Sequence, residues 1–175
     1  IIDEMNDYNY KRINNLNKIE YYKDKIKFLL IEKKHSLNYI EFIRGLYDIN
    51  DKSKLEKMFK LMSKAEINMI KCKKFDLLWN KLWNKTAKKK IYQKEYMCSS
   101  SKFQNLDKLG KLDELLLINS QYNSPEWELP KGRKNINETN LNCAIREIEE
   151  ETTLERNSYT ILNNISCLQD TFIGT

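Results

Sequence analysis

Residues 132–154 read GRKNINETNLNCAIREIEEETTL, and no other stretch of the chain constrains its fold so tightly. On a helix turning roughly 100° per residue, Glu147, Glu150 and Glu151 fall on one edge within an arc of about 100°. Leu141, Ala144, Ile145 and Ile148 take the neighbouring arc, while Asn142 and Glu149 lie beyond it. The pattern predicts a helix that buries one apolar stripe and aims three carboxylates sideways. Like charges at i,i+3 and i,i+4 repel, so such an edge costs stability unless a cation sits on it. Oxygen-rich edges of this kind suit a hard divalent ion, and Mg²⁺ typically takes carboxylates, waters and substrate phosphates.

The longer spacing is more specific than the acidic edge. Gly132 is followed by five residues, Glu138, seven residues, Arg146-Glu147, two residues, Glu150-Glu151, and later the apolar Leu154. This resembles the signature of the Nudix hydrolases: G, five residues, E, seven residues, R-E, apolar, any, E-E, any, G, apolar. Every position agrees except the last Gly, where this chain has Thr153. Gly is favoured at a helix end because it tolerates positive φ. Thr153 must therefore take that strain or close the turn differently.

The rest of the 175-residue chain suits a globular protein, 41% apolar and 32% charged. It contains no apolar run of about 18 residues, so no membrane span is expected. Cys72, Cys98, Cys143 and Cys167 are widely spaced and form no CxxC pair. That argues against a zinc site or a disulfide framework and for a reducing compartment. Cys143 reads as a packing residue. His35, the only histidine, excludes mechanisms that need two and reads as the end of a strand.

Along the chain, residues 25–34 (KIKFLLIEKK) read as a buried strand. Leu37, Ile40, Phe42, Ile43 and Leu46 suggest a helix capped by Ser36. Ser53 with Glu56, and Ser63 with Glu66, fit capping boxes that open two more. Phe75, Leu78, Trp79, Leu82 and Trp83 have helical spacing. Helices are expected over 87–97 and 105–118, and residues 127–129 look extended. No proline precedes Pro125, as befits a helical block.

Three blocks in order, KFLLIEKKHSLNYIEFIRGLY with KFDLLWNKLW, WELPKGR, and CAIREIEEET, resemble the mRNA-decapping Nudix hydrolases of large nucleocytoplasmic DNA viruses, of the African swine fever virus and giant-virus type. The resemblance spans about residues 25–175. It implies an α/β Nudix α/β/α sandwich with an inserted all-α helical subdomain. The implied division is an N-terminal Nudix strand segment at 1–35, a basic helical insertion at 36–122, and a Nudix core with the catalytic loop and helix at 123–175. By the family's standard the sandwich is incomplete at both ends. On that reading Ile161, Leu162, Ile165, Leu168 and Phe172 lack partners, and the chain is expected to be weakly stable or self-associating.

A pyrophosphate link resists water because its anionic phosphates repel a nucleophile. Divalent ions neutralise that charge, orient the phosphates and acidify a bound water. The resemblance implies Mg²⁺ or Mn²⁺ on Glu147, Glu150 and Glu151, with the Gly132 carbonyl as a further ligand. Glu138 would support that site or touch the metal itself, and Arg146 would pair with a loop carboxylate such as Glu138. Glu147 or Glu151 would alternatively act as the base. Lys131 is placed to meet a substrate phosphate as a point charge.

The charge is unevenly spread. Residues 51–102 hold fifteen lysines against five acids, a surplus of ten, in a chain whose net charge is +6. A basic block beside an acidic metal site suits a long polyanion cut at its end. Lys85, Lys88, Lys89, Lys90 and Lys94, interleaved with Tyr92 and Tyr96, are the candidates for RNA backbone contact and base stacking. The leading expectation is a decapping enzyme acting on capped mRNA in the cytoplasm, the host's if the gene is viral. A hydrolase of diphosphoinositol polyphosphates or dinucleoside polyphosphates is the alternative, and an RNA-binding protein with weak catalysis the third. A homodimer is a further option.

Overall fold

The computed structural model describes residues 27–83 and 90–162. The backbone divides into two compact units, Glu32–Glu128 and a second formed by Ile1–Ile31 with Leu129–Thr175. Helices and a small sheet make the chain an α/β one.

A short strand β1 (Ile31–Glu32), which spans the first residue of the Glu32–Glu128 unit, pairs with β2 (Trp127–Glu128). Just beyond the pair, the Lys33 amide donates to the Glu126 carbonyl at 3.0 Å, and Lys33 Nζ lies 3.2 Å from Glu128 Oε2. The strand expected over 25–34 is therefore much shorter than its apolar run. Residues 25 and 26 lie outside the described residues, and Phe28 is 75% exposed instead of buried. An apolar run stays a strand only as far as a neighbour satisfies its backbone, and β2 offers two residues.

Between the strands, the described residues form α1 (Leu37–Ile43), α2 (Lys52–Leu61), α3 (Lys64–Ile70), α4 (Phe75–Trp83), α5 (Lys90–Lys108) and α6 (Lys111–Leu116). Their apolar faces meet in one core. Phe42 lies edge-on to Phe59 at 5.0 Å and Phe75 tilts against Phe103 at 5.3 Å, with Trp79, Leu106 and Leu112 fully buried around them. Each such side chain contributes about 1.5–3 kcal/mol by leaving water.

The helix starts are set by caps. Ser36 Oγ accepts from the Tyr39 amide at 3.1 Å, as expected. Ser63 and Glu66 form the expected capping box. For α2 the cap is Asp51, whose carboxylate accepts from the Lys54 amide at 2.9 Å, in place of the expected Ser53. An ionised acceptor makes the stronger bond to a helix N-terminus. Glu66 does more than cap its own helix. Its carboxylate, 2% exposed, also accepts from the Ser36 amide at 2.6 Å and from Ser36 Oγ at 2.8 Å, so one side chain holds the starts of α1 and α3 together. His35 stacks on Tyr39 and stands 3.7 Å from this carboxylate.

The expected break near residues 98–104 does not occur. Helix α5 runs to Lys108, because Ser99 is buried and its hydroxyl donates to the Arg44 carbonyl at 2.7 Å. The break comes instead at Gly110, where φ is +72°. No helix of the described residues is long and apolar enough to cross a membrane. Cys72, Cys98 and Cys143 carry free thiols.

Candidate active site

The site lies in the second unit, on helix α7 (Asn140–Thr152) and the loop before it. Thr139 starts the helix, its Oγ1 accepting from the Asn142 amide at 3.1 Å. At the other end Thr153 takes the left-handed conformation, φ +59° and ψ +13°, and its amide closes on the Glu149 carbonyl at 3.0 Å. The chain keeps the turn and accepts the strain, which for a residue with a Cβ is about 1–2 kcal/mol. The apolar stripe is not what α7 buries. Leu141 is 50% exposed and Ala144 is exposed, Ile145 and Ile148 are half-buried, and the buried positions are Cys143 and Glu147. Of the apolar residues expected to follow, Ile165, Leu168 and Phe172 lie outside the described residues.

Cys143 and Glu147 are covered on the loop side because Gly132 has no side chain. A Cβ built at Gly132 would fall inside the Glu147 carboxyl group. The Cys143 thiol in turn faces the Gly132 carbonyl at 3.8 Å. Burial, with the Glu138 charge beside it, pushes that thiol's pKa up.

Arg146 is the centre of the arrangement. Its Nε donates to Glu138 Oε1 at 2.9 Å and its Nη2 to Glu138 Oε2 at 3.1 Å, a two-pronged grip. Nη2 also reaches the Arg133 carbonyl at 3.0 Å. Nη1 turns the other way, to Glu147 Oε1 at 2.6 Å and Glu150 Oε2 at 3.1 Å. The Arg146 guanidinium, with the Asn135 amide at 2.9 Å, pulls the Glu138 carboxyl down to about 2. Arg146 is raised by the same carboxylate and by Glu147. Glu151 stands apart from Arg146 and accepts from the Lys131 amide at 2.9 Å. The loop is thus tied to the helix at three points, Glu138, Arg133 and Lys131.

The site residues read from the sequence therefore meet in part. Gly132, Glu138, Arg146 and Glu147 form one contact set, Glu150 joins it through Arg146, and Glu151 joins the loop backbone. Among the described residues no three His, Cys, Asp or Glu side chains converge as a ready metal cage. The donor chemistry still fits a hard divalent ion: three carboxylates share an edge, and the Gly132 backbone passes directly against one of them. Lys85, Lys88 and Lys89 lie outside the described residues, as does the side chain of Lys90. Lys94 is exposed on α5. Tyr92 stacks on Trp83 at 4.6 Å, and Tyr96 packs against Phe75 and Trp79 and donates to Asp76, so both rings are used inside the helical unit. Sequence reading passed over Thr139, Asn135 and the Arg133 carbonyl. A Thr just ahead of a periodic apolar run is a helix-start signal, whereas a backbone carbonyl leaves none.

Residues 106–173 match the family model of the NUDIX domain. Over that stretch the chain is similar to the NUDIX domain. Its match begins within α5 and takes in the catalytic-type loop and α7. A protein of Acanthamoeba polyphaga mimivirus is 32% identical over 95% of this chain and 52% of its own length. The mRNA-decapping protein of African swine fever virus is 39% identical in a Kenyan isolate and 37% in a Namibian one, each over 79% of this chain and 57% of that protein. The chain thus spans about half the length of the curated relatives it matches. NUDIX hydrolases generally work with divalent metal ions.

Proposed function

We propose that this chain supplies the hydrolytic centre of an mRNA-decapping enzyme. It would add water across the triphosphate bridge of the 5′ m7G cap, breaking one P–O–P link to leave 7-methyl-GDP and an RNA 5′ monophosphate. The observation that carries the reading is the loop–helix clamp, in which Arg146 and Gly132 fix Glu147 and Glu150 beside the loop that leads to Lys131. The similarity to viral decapping proteins supplies the substrate class.

Glu147, Glu150 and Glu151 would hold the divalent ion, Mg²⁺ or Mn²⁺. When bound, that ion supplies neutralisation of the bridging phosphates and a water acidic enough to lose its proton. Glu147 or Glu151 would alternatively act as the base, Lys131 would meet a phosphate, and Arg146 with Glu138 would hold the loop in register. Helices between β1 and the loop would be an insertion into the NUDIX sandwich, and its lysines would hold the RNA body. Net positive charge and soft salt-screened contacts suit a long polyanion better than a single small one.

Product analysis on capped RNA with Mg²⁺ or Mn²⁺ tests this. Release of 7-methyl-GDP supports the reading. Release of orthophosphate from diphosphoinositol polyphosphates with capped RNA left intact would replace it with the small-molecule alternative. RNA binding without any product would leave a binding protein.

A further inference from the structure

The guanidinium of Arg146 lies against the carboxylate edge of α7. Its Nη1 neutralises Glu147 and Glu150 together, the two carboxylates that would otherwise repel each other one turn apart. The remaining nitrogens are held by groups that no ion needs, the Glu138 carboxylate and the Arg133 carbonyl. We infer that Arg146 is a built-in competitor of the divalent ion: it fills the carboxylate edge until the ion arrives, then withdraws its Nη1 while Glu138 and Arg133 keep the rest of the side chain.

This rests on the metal-dependent reading above and adds to it. Two features of the geometry support the exchange. First, the contacts divide by side. The Nε–Nη2 edge makes a parallel fork with Glu138, the geometry in which an arginine binds a carboxylate best, so this grip survives loss of the other. Second, Glu138 draws its charge-assisted strength from Arg146 and the Asn135 amide, which leaves both of its oxygens already engaged. Glu138 is therefore a positioning residue, the holder of the displaced arginine, and not a metal ligand. Glu151, bound to the Lys131 amide and not to Arg146, would be free to turn without disturbing that grip.

Binding of Mn²⁺, read from the electron paramagnetic resonance signal of the free ion, separates the possibilities without any substrate. In R146A the competitor is gone, and the Kd for Mn²⁺ should fall about threefold or more, a coupling in the usual range for contacting groups. In E138Q the arginine is less well held on its far side and competes harder, so the Kd should rise by a similar factor. The double variant decides the matter: with no arginine to hold, adding E138Q to R146A should leave the Kd unchanged. R146Q, which keeps a donor for Glu138, serves should R146A unfold by circular dichroism. If E138Q weakens binding equally with and without Arg146, Glu138 is a ligand and the inference is wrong. If R146A binds Mn²⁺ no better than the parent, the arginine does not compete and the inference is again wrong. Absence of Mn²⁺ binding in the parent would remove the metal reading itself, a different failure.

Discussion

Thr153 is the residue at which this chain leaves the Nudix pattern, and the structure shows it taking the left-handed turn that glycine favours. With φ at +59° it sits where glycine is at ease and a β-branched residue is not. Thr153→Gly should therefore raise stability by about 1 kcal/mol, less the flexibility that glycine adds to the unfolded chain, measured as the shift in a urea midpoint. No gain, or a loss, would show that the turn does not press on the Cβ. Glu150 carries the functional counterpart. Glu150→Gln removes one charge from the carboxylate edge without shortening the side chain, and turnover should fall by about 10²–10⁴ with the fold intact. A variant keeping more than a third of the parent's rate at saturating Mg²⁺ would remove Glu150 from the site. Glu138 titrates in the folded chain at about 2, below its ordinary value near 4.5, because Arg146 and the Asn135 amide favour the charged form. A depressed carboxyl contributes its stability above the unfolded value and loses it as pH falls toward the folded one. The clamp should thus hold at pH 5 and loosen between about pH 4.5 and 2. Chemical shifts of the loop amides over that range would follow it, and E138Q should abolish the step.

At the scale of elements, caps decide where helices begin and one glycine decides where a long one ends. Glu66 is the element-level keystone, since its carboxylate satisfies the amides of Ser36 and Ser63 at two helix starts. Glu66→Ala leaves both of those buried donors without their acceptor and should cost about 2–4 kcal/mol. Burial raises the Glu66 carboxyl, but its hydrogen bonds outweigh that and the net shift is downward, so this contribution too is lost on acidification. The Ser63–Glu66 box and the Ser36 cap were legible in the sequence because capping is local, reaching three residues along the chain. The second role of Glu66 was not, because it joins residues 30 apart. The same limit explains the serines at 99–101. Their composition suggests a break, and only the buried Arg44 carbonyl makes Ser99 acceptable inside α5. On α7 the carboxylate edge was readable from periodicity alone. That Glu147 is buried while Leu141 stays open was not, since it depends on a glycine fifteen residues earlier letting the loop close on the helix.

At the scale of the whole molecule, charge is divided unequally, and the proposed function divides the labour with it. The acidic edge of α7 belongs to one unit, and the lysine surplus of residues 51–102 falls within the other. Many of the described lysines are spoken for: Lys73 pairs with Asp107 and Asp113, Lys102 donates to the Gly45 and Tyr47 carbonyls, and Lys111 to that of Ile49. These hold the helical unit together and should be poor RNA contacts. With Tyr92 and Tyr96 packed inward, the RNA reading rests on the cluster Lys85, Lys88, Lys89 and Lys90 in preference to base stacking. Changing all four to Ala should weaken binding of long RNA and flatten its salt dependence by about 0.7 to 0.9 in the log–log slope per lost contact. The hydrolysis of a cap dinucleotide, which has no RNA body to hold, should change far less. The comparison is internal to one protein: binding of a 30-nucleotide RNA is titrated at several salt concentrations, and turnover of the dinucleotide is measured on the same preparation. A slope unchanged by four lost lysines would place the RNA elsewhere. Equal losses on RNA and dinucleotide would mean that these lysines serve the catalytic centre or the fold, and the division of labour would be wrong.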